Sequence, residues 1–233
     1  MKNPIAIPGL HYIPNAITEE QEQQIFRIVD SRPYSTTIHR RQQFYGERYY
    51  HTTHDLTALQ PMTEQQAKLQ SYPLEDMQWL LDHLLPKVAM VTSVVNDTQP
   101  PTQILVNEYR ENMGIASHFE DALAFGSYIL TLSLRNPIWM TMKLPREHTN
   151  HCSDILQQTR VLLEPRSLLV MSGESRFDWR HGISKTKTVE GPGGMPAVKR
   201  DCGYRRISLT IRYLLDGRKR TLSDRNVPWA PRP

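Results

Sequence analysis

From Gln103 onward the hydrophobic pattern changes character: short runs of β-type residues follow one another, separated by turn residues. Such runs cover Gln103–Tyr109, Ile115–His118, Tyr128–Leu134, Ile138–Leu144, Val161–Leu163, Ser167–Met171 and Arg206–Leu214. Alternation with a period of two puts successive side chains on opposite faces of a strand. Many short strands with intervening turns predict a sandwich or jelly roll. The last run alternates most cleanly: Ile207, Leu209 and Ile211 take one face, and Arg206, Ser208, Thr210 and Arg212 take the other.

Upstream the period changes. Thr18-Glu19-Glu20-Gln21 reads as a capping box with Thr18 as N-cap, and Ile25, Phe26, Ile28 and Val29 then form one face of a helix ending near Ser31. A second helix is predicted from Leu74 to Val94, with Trp79, Leu80, Leu84, Val88 and Val91 on its buried face and Pro86 expected to kink or divide it. Between the two, the polar and aromatic stretch His39–His54 has no clear period. The Gly/Pro-rich stretch Glu190–Pro196 reads as a mobile loop between the last strands. The predicted class is mostly β with flanking helices. Its expected division is 1–101 for N-terminal helices and a lid packed on the core, 102–216 for the core, and 217–233 for a basic tail.

Composition narrows this only slightly. With 39% hydrophobic and 22% charged residues, the 233-residue chain is an ordinary globular one. A net charge of +4 permits a polyanionic partner without requiring one. The two cysteines, Cys152 and Cys202, have neither metal-type spacing nor the look of a disulfide framework, which suits a reducing compartment. No apolar run resembles a signal peptide or reaches the length of a membrane span, so a soluble intracellular protein without membrane contact is expected.

Three features carry chemistry jointly. In His118-Phe119-Glu120, residues two apart on a strand point the same way. Far downstream, Trp179-Arg180-His181-Gly182-Ile183 supplies a second histidine. Two histidines and one carboxylate make the facial triad that holds Fe(II) and leaves positions open. The third feature is the strand at Arg206–Arg212. Two arginines on the inner face of a barrel strand need an anion, and a dicarboxylate matches their planar forks. Asn107 and Tyr109, also two apart, can add an amide and a phenol to the same anion.

Ile104-Leu105-Val106-Asn107-Glu108-Tyr109, His118-x-Glu120, Ser172-Gly173-Glu174-Ser175-Arg176 leading to His181-Gly182-Ile183, and the run Arg206-x-Ser208-x-Thr210-x-Arg212 come in the order and spacing of one family. They resemble the AlkB-like Fe(II)/2-oxoglutarate-dependent dioxygenases, over about half the chain. The likeness is closer to eukaryotic members, including the AlkB domain of the tRNA wobble-uridine hydroxylase, than to the bacterial repair enzyme. It implies a double-stranded β-helix (a cupin-like jelly roll) using Fe(2+), 2-oxoglutarate and O2. By position, His118, Glu120 and His181 would hold iron, and Asn107, Tyr109, Arg206, Ser208 and Arg212 would bind 2-oxoglutarate. Arg206 would meet the distal carboxylate with Tyr109, and Arg212 would lie near the carboxylate that chelates the metal. The implied reaction is oxidation of an alkylated or modified nucleobase, by demethylation or hydroxylation, in single-stranded or loop RNA or DNA. A protein hydroxylase of the same fold and a catalytically weak nucleic-acid-binding module are the alternatives. One departure stands out: the family usually has Asp where this chain has Glu120, one methylene longer. Family members read their target through an N-terminal lid. Here Arg40, Arg41, Phe44, Tyr45, Tyr49 and Tyr50 occupy that place, either stacking a base and meeting phosphate or packing on the core.

Overall fold

The computed structural model describes residues 6–35, 38–47, 71–96, 98–122, 124–145 and 157–215. Helix α1 (Glu19–Asp30) begins on the expected capping box: the Gln21 N–H donates to Thr18 Oγ1 (3.3 Å), and the Thr18 N–H donates to Gln21 Oε1 (2.9 Å). The second helical region is shorter than the pattern suggests. A 3-10 turn (Leu74–Met77) leads into α2 (Gln78–Ala89). Pro86 lies inside α2 without dividing it, because only the final turn follows and the Met90 N–H still reaches the Pro86 carbonyl (3.3 Å). Val91, expected on the buried face, falls beyond the helix end and is exposed. A separate 3-10 turn covers Ser93–Val95.

Seven expected strands are present: β4 (Gln103–Arg110), β5 (Ile115–His118), β6 (Tyr128–Leu134), β7 (Ile138–Lys143), β8 (Gln158–Leu163), β9 (Leu168–Ser172) and β13 (Arg205–Arg212). The pattern did not announce β1 (Leu10–Ile13), β2 (Arg41–Gly46), β3 (Ser71–Tyr72) or β10 (Arg180–Ile183). The Glu190–Pro196 stretch lies in a hairpin, with β11 (Thr188–Val189) paired to β12 (Val198–Lys199) across a 3-10 turn at Pro192–Gly194.

The strands build a seven-stranded sheet, β1-β9-β6-β13-β4-β2-β3, and a four-stranded sheet, β5-β10-β7-β8. The fold is a jelly roll. Alternation decides what each face meets. Ile104, Val106, Leu130, Leu132, Ile207, Leu209 and Ile211 turn one way and form a core with Ile25, Val29, Leu80, Leu81, Leu84 and Val88 of the two helices. The other face, with Ile129, Leu169 and Met171, packs on Met140, Met142, Leu163 and Ile183 of the smaller sheet. Polar residues of β4, β6 and β13 are therefore trapped between the sheets, on a face that would otherwise be core.

Candidate metal and co-substrate site

The two histidines come together through strand pairing. His181 of β10 is the register partner of His118 of β5, and their ring centroids are 4.5 Å apart. Gly182 permits this approach: a Cβ there would lie 2.9 Å from the Ser117 backbone. Glu120 arrives differently from the expected same-face geometry. Strand β5 ends at His118, and Glu120 lies beyond it. The backbone there is held by Arg176, whose Nη1 donates to the Glu120 carbonyl (2.9 Å) and whose Nη2 donates to those of Asp121 (3.1 Å) and Phe125 (3.3 Å). The carboxylate itself is held by Arg212, with Nη1 2.5 Å from Oε2.

That leaves Oε1 facing the histidines, 4.0 Å from His118 Nε2 and 3.9 Å from His181 Nε2. One ligand atom from each of the three residues falls within 4.8 Å of the others. Ligand atoms of a facial triad with bonds of about 2.0–2.2 Å lie about 3 Å apart, so side-chain movements of about 1 Å bring the carboxylate and imidazoles onto one ion. Protonation states agree. Burial pushes the Glu120 carboxyl up, but Arg212, His181, His118 and Arg176 outweigh it and hold it below its ordinary value. Burial, aided by His118 and opposed by Glu120, pushes His181 down to about 4. An ionised carboxylate and a neutral imidazole are the forms that ligate. His118 Nδ1 donates to the Ala116 carbonyl (2.8 Å), which turns Nε2 toward the site.

Further in, Arg206 is 1% exposed, and Ser133 Oγ accepts from its Nη2 (2.8 Å). Its Nε and Nη1 are buried without a hydrogen-bond partner. Burial lowers this guanidinium against the pull of Tyr109 and Tyr204. Its centre lies 5.1 Å from the Tyr109 ring. A buried fork with two orphaned donors is the complement of a carboxylate. Register sets Ser208 between Asn107 of β4 and Ser133 of β6. Asn107 Oδ1 accepts from Arg40 Nε (2.9 Å) and Gln42 Nε2 (2.8 Å). Arg212 Nε donates to Gln103 Oε1 (2.7 Å), and its guanidinium lies 3.6 Å from the Phe125 ring centre.

A cavity of about 360 Å³ joins these groups; His118, Glu120, His181, Asn107, Tyr109, Arg206, Ser208 and Arg212 all line it. The N-terminal candidates divide. Arg40 and Phe44 line the cavity with Ile38 and Gln42. Arg41 and Tyr45 do not reach it, because strand alternation turns them to the helix side. Arg41 pairs with Glu108 (2.6 Å), and Tyr45 is 0% exposed in the helix-side core. Tyr49 and Tyr50 lie outside the described residues, as do Cys152 and the tail 217–233. Ser133 and Arg176 were not singled out from sequence. Ser133 is a polar position within the apolar alternation of β6, a usable signal; Arg176 stood in a motif without a role.

The family model described as "2OG-Fe(II) oxygenase superfamily" matches residues 9–212. An "Alkylated DNA repair protein ALKBH8 homolog" of Arabidopsis thaliana is 28% identical over 217 residues, covering 88% of this chain and 58% of that protein. A "tRNA (carboxymethyluridine(34)-5-O)-methyltransferase alkbh8" of Xenopus tropicalis is 28% identical over 189 residues, covering 79% of this chain and 26% of that protein. The chain thus spans between about a quarter and somewhat over half of these relatives. The solved structure of OsALKBH1 superposes with a TM-score of 0.55 at 17% identity, covering 89% of this chain and 99% of that one.

Proposed function

Because this chain belongs to the 2OG-Fe(II) oxygenase superfamily and is an AlkB-like dioxygenase using Fe(2+), 2-oxoglutarate and O2, we propose that it oxidises an alkylated or otherwise modified nucleobase in RNA or DNA. In this reading His118, Glu120 and His181 hold the iron. Asn107, Tyr109, Arg206, Ser208 and Arg212 bind 2-oxoglutarate, with Arg206 at the distal carboxylate. Bound iron with 2-oxoglutarate and O2 supplies the oxidising equivalent for C–H hydroxylation and leaves succinate and CO2. The chain's own residues do the rest. Arg206 supplies the orphaned donors that fix the co-substrate's far end. Arg212 takes Glu120 Oε2 and so leaves one carboxylate oxygen for the metal. Arg176 keeps the backbone at Glu120, Asp121 and Phe125 in place. On an N-methyl group, hydroxylation gives a hemiaminal that releases formaldehyde; on carbon it gives a stable alcohol.

The observation that carries the nucleobase reading is the outer part of the cavity. Arg40, Gln42, Phe44 and Phe119 line it beside the triad, an aromatic and cationic wall suited to a planar base and its phosphate. The names of both relatives, one a DNA repair protein and one a tRNA methyltransferase, point the same way. The test is succinate production with Fe(II) and 2-oxoglutarate in the presence of methylated or tRNA-type modified oligonucleotides. Modified oligonucleotide should stimulate turnover and lose its methyl group or gain one oxygen by mass spectrometry. Stimulation by peptide substrates alone would overturn the assignment and leave a protein hydroxylase.

A further inference from the structure

The four-stranded sheet has two chemically different faces. His118, His181 and Met142 share the inner one. On the outer one, Arg180 is in register with Lys143, and Lys143 with Gln158, while Gly182 is in register with Thr141. A groove of about 350 Å³ lies on this outer face, lined by Ser117, Thr141, Lys143, Gln158, Gly182 and Lys185 among others. Its floor is nearly bare backbone, because Gly182 lacks the Cβ that would meet Ser117. Among the described residues, no acidic one lines it. Among the described residues, neither Lys143 nor Lys185 forms an ion pair. Small hydroxyl side chains and two cations around an open backbone floor are groups that contact a phosphodiester.

The groove and the site lie on opposite sides of the same strands. Ile115, Gly182 and Ile183 line both the groove and the main cavity. Strand β5 is the edge of its sheet, so nothing in that sheet lies beyond it. Arg180, on the groove face, stacks at 5.0 Å on Phe119, which lines the main cavity. A strand with one base in the cavity therefore has a charged path around β5.

We propose that this groove carries the phosphodiester backbone of the nucleic-acid strand whose modified base enters the site. The inference rests on the nucleobase reading above. The probe is labelled single-stranded RNA and DNA oligonucleotide, titrated by fluorescence anisotropy at several salt concentrations with full-length wild type and Lys143→Gln/Lys185→Gln. Each lost phosphate contact should lower the slope of log affinity against log salt by about 0.7, so the double variant should lose about 1.4 in slope. Binding should weaken similarly for all sequences. The melting temperature and unstimulated 2-oxoglutarate turnover should stay at wild-type values. Lys87→Gln, on α2, removes one charge far from this face and should leave the slope unchanged. If the double variant keeps wild-type affinity and slope, or if Lys87→Gln flattens it as much, the groove is not on the path. The nucleobase function then survives. If wild type binds no oligonucleotide at low salt, both readings fail together.

Discussion

Arg206 and Glu120 solve opposite problems of burial. Arg206 is a cation left with two unused donors, so its energetic debt falls due only when an anion is absent. Arg206→Ala should raise the 2-oxoglutarate requirement strongly, by roughly the 2–5 kcal/mol that follows truncation of one partner in a buried charge pair. Iron content after gel filtration should be unaffected. A 2-oxoglutarate requirement within about twofold of wild type would remove Arg206 from the co-substrate site. Glu120 is an anion already satisfied on one oxygen by Arg212. Arg212 holds the longer side chain from the side. Glu120→Asp should retain iron, and Glu120→Ala should lose most of it. If Asp121→Ala is the damaging change instead, the ligand assignment is wrong by one residue. Sequence alone paired His118 with Glu120 for the wrong geometric reason. The two do meet, but through a non-strand segment fastened by Arg176, a long-range contact that spacing cannot reveal.

At the scale of elements, β13 was the most legible part of the chain. Its alternation separates a helix-side row from a site-side row, and the structure places Ile207, Leu209 and Ile211 in the core while Arg206, Ser208, Thr210 and Arg212 line the cavity. Strands β2 and β10 were hidden because each is short or rich in polar residues, and their pairing is decided by neighbours: β2 by β4, and β10 by β5 and β7. On the helix side, β2, β4 and β13 are tied by one buried carboxylate. Glu108 accepts from Arg41 Nε (2.6 Å) and Arg205 Nε (2.7 Å), with Arg110 at 3.3 Å. Burial would raise its pKa, but the hydrogen bonds from Arg41, Arg205 and Arg110 outweigh this and hold it at about 2. A carboxyl depressed on folding contributes stability that is complete above its unfolded value, near 4.5, and is lost as pH falls through about 2. The contribution is on the order of 2–3 kcal/mol, allowing for screening of the half-exposed Arg41 and Arg110. Denaturant titrations at steps between neutral and acidic pH should therefore show wild type losing stability below about pH 4.5 more steeply than Glu108→Gln. Parallel acid limbs in the two proteins would show that Glu108 is not the group responsible. Because Glu108 shares β4 with Asn107 and Tyr109, its loss should also loosen the register that presents them.

For the whole molecule, the sheets divide the labour. The seven-stranded sheet, backed by α1 and α2, carries the residues proposed to bind the co-substrate; the four-stranded sheet supplies the histidines; Arg212 and Arg176, from β13 and the short helix α3 (Gly173–Phe177), reach across to the Glu120 segment. Fold class and family were legible because alternation and motif order survive in sequence. The packing of one sheet on the other was not, since it depends on contacts between residues far apart in the chain. This division makes binding energy appear as stability of the closed sandwich. A ligand that binds only the folded protein stabilises it by about 2.7 kcal/mol at a hundredfold excess over its dissociation constant. Mn(II), a redox-silent substitute, should raise the melting temperature, and 2-oxoglutarate should raise it further. His181→Ala should lose the metal-dependent rise, and with it most of the 2-oxoglutarate rise, if the co-substrate also ligates the metal. Arg206→Ala should keep the first and lose much of the second. The linkage is reciprocal, so wild type should bind Mn(II) more tightly with 2-oxoglutarate present, and Arg206→Ala should show that coupling diminished. A metal-dependent rise that persists in His181→Ala would place the metal away from the paired histidines, and independent rises for metal and 2-oxoglutarate in wild type would mean that the two sheets do not share one site.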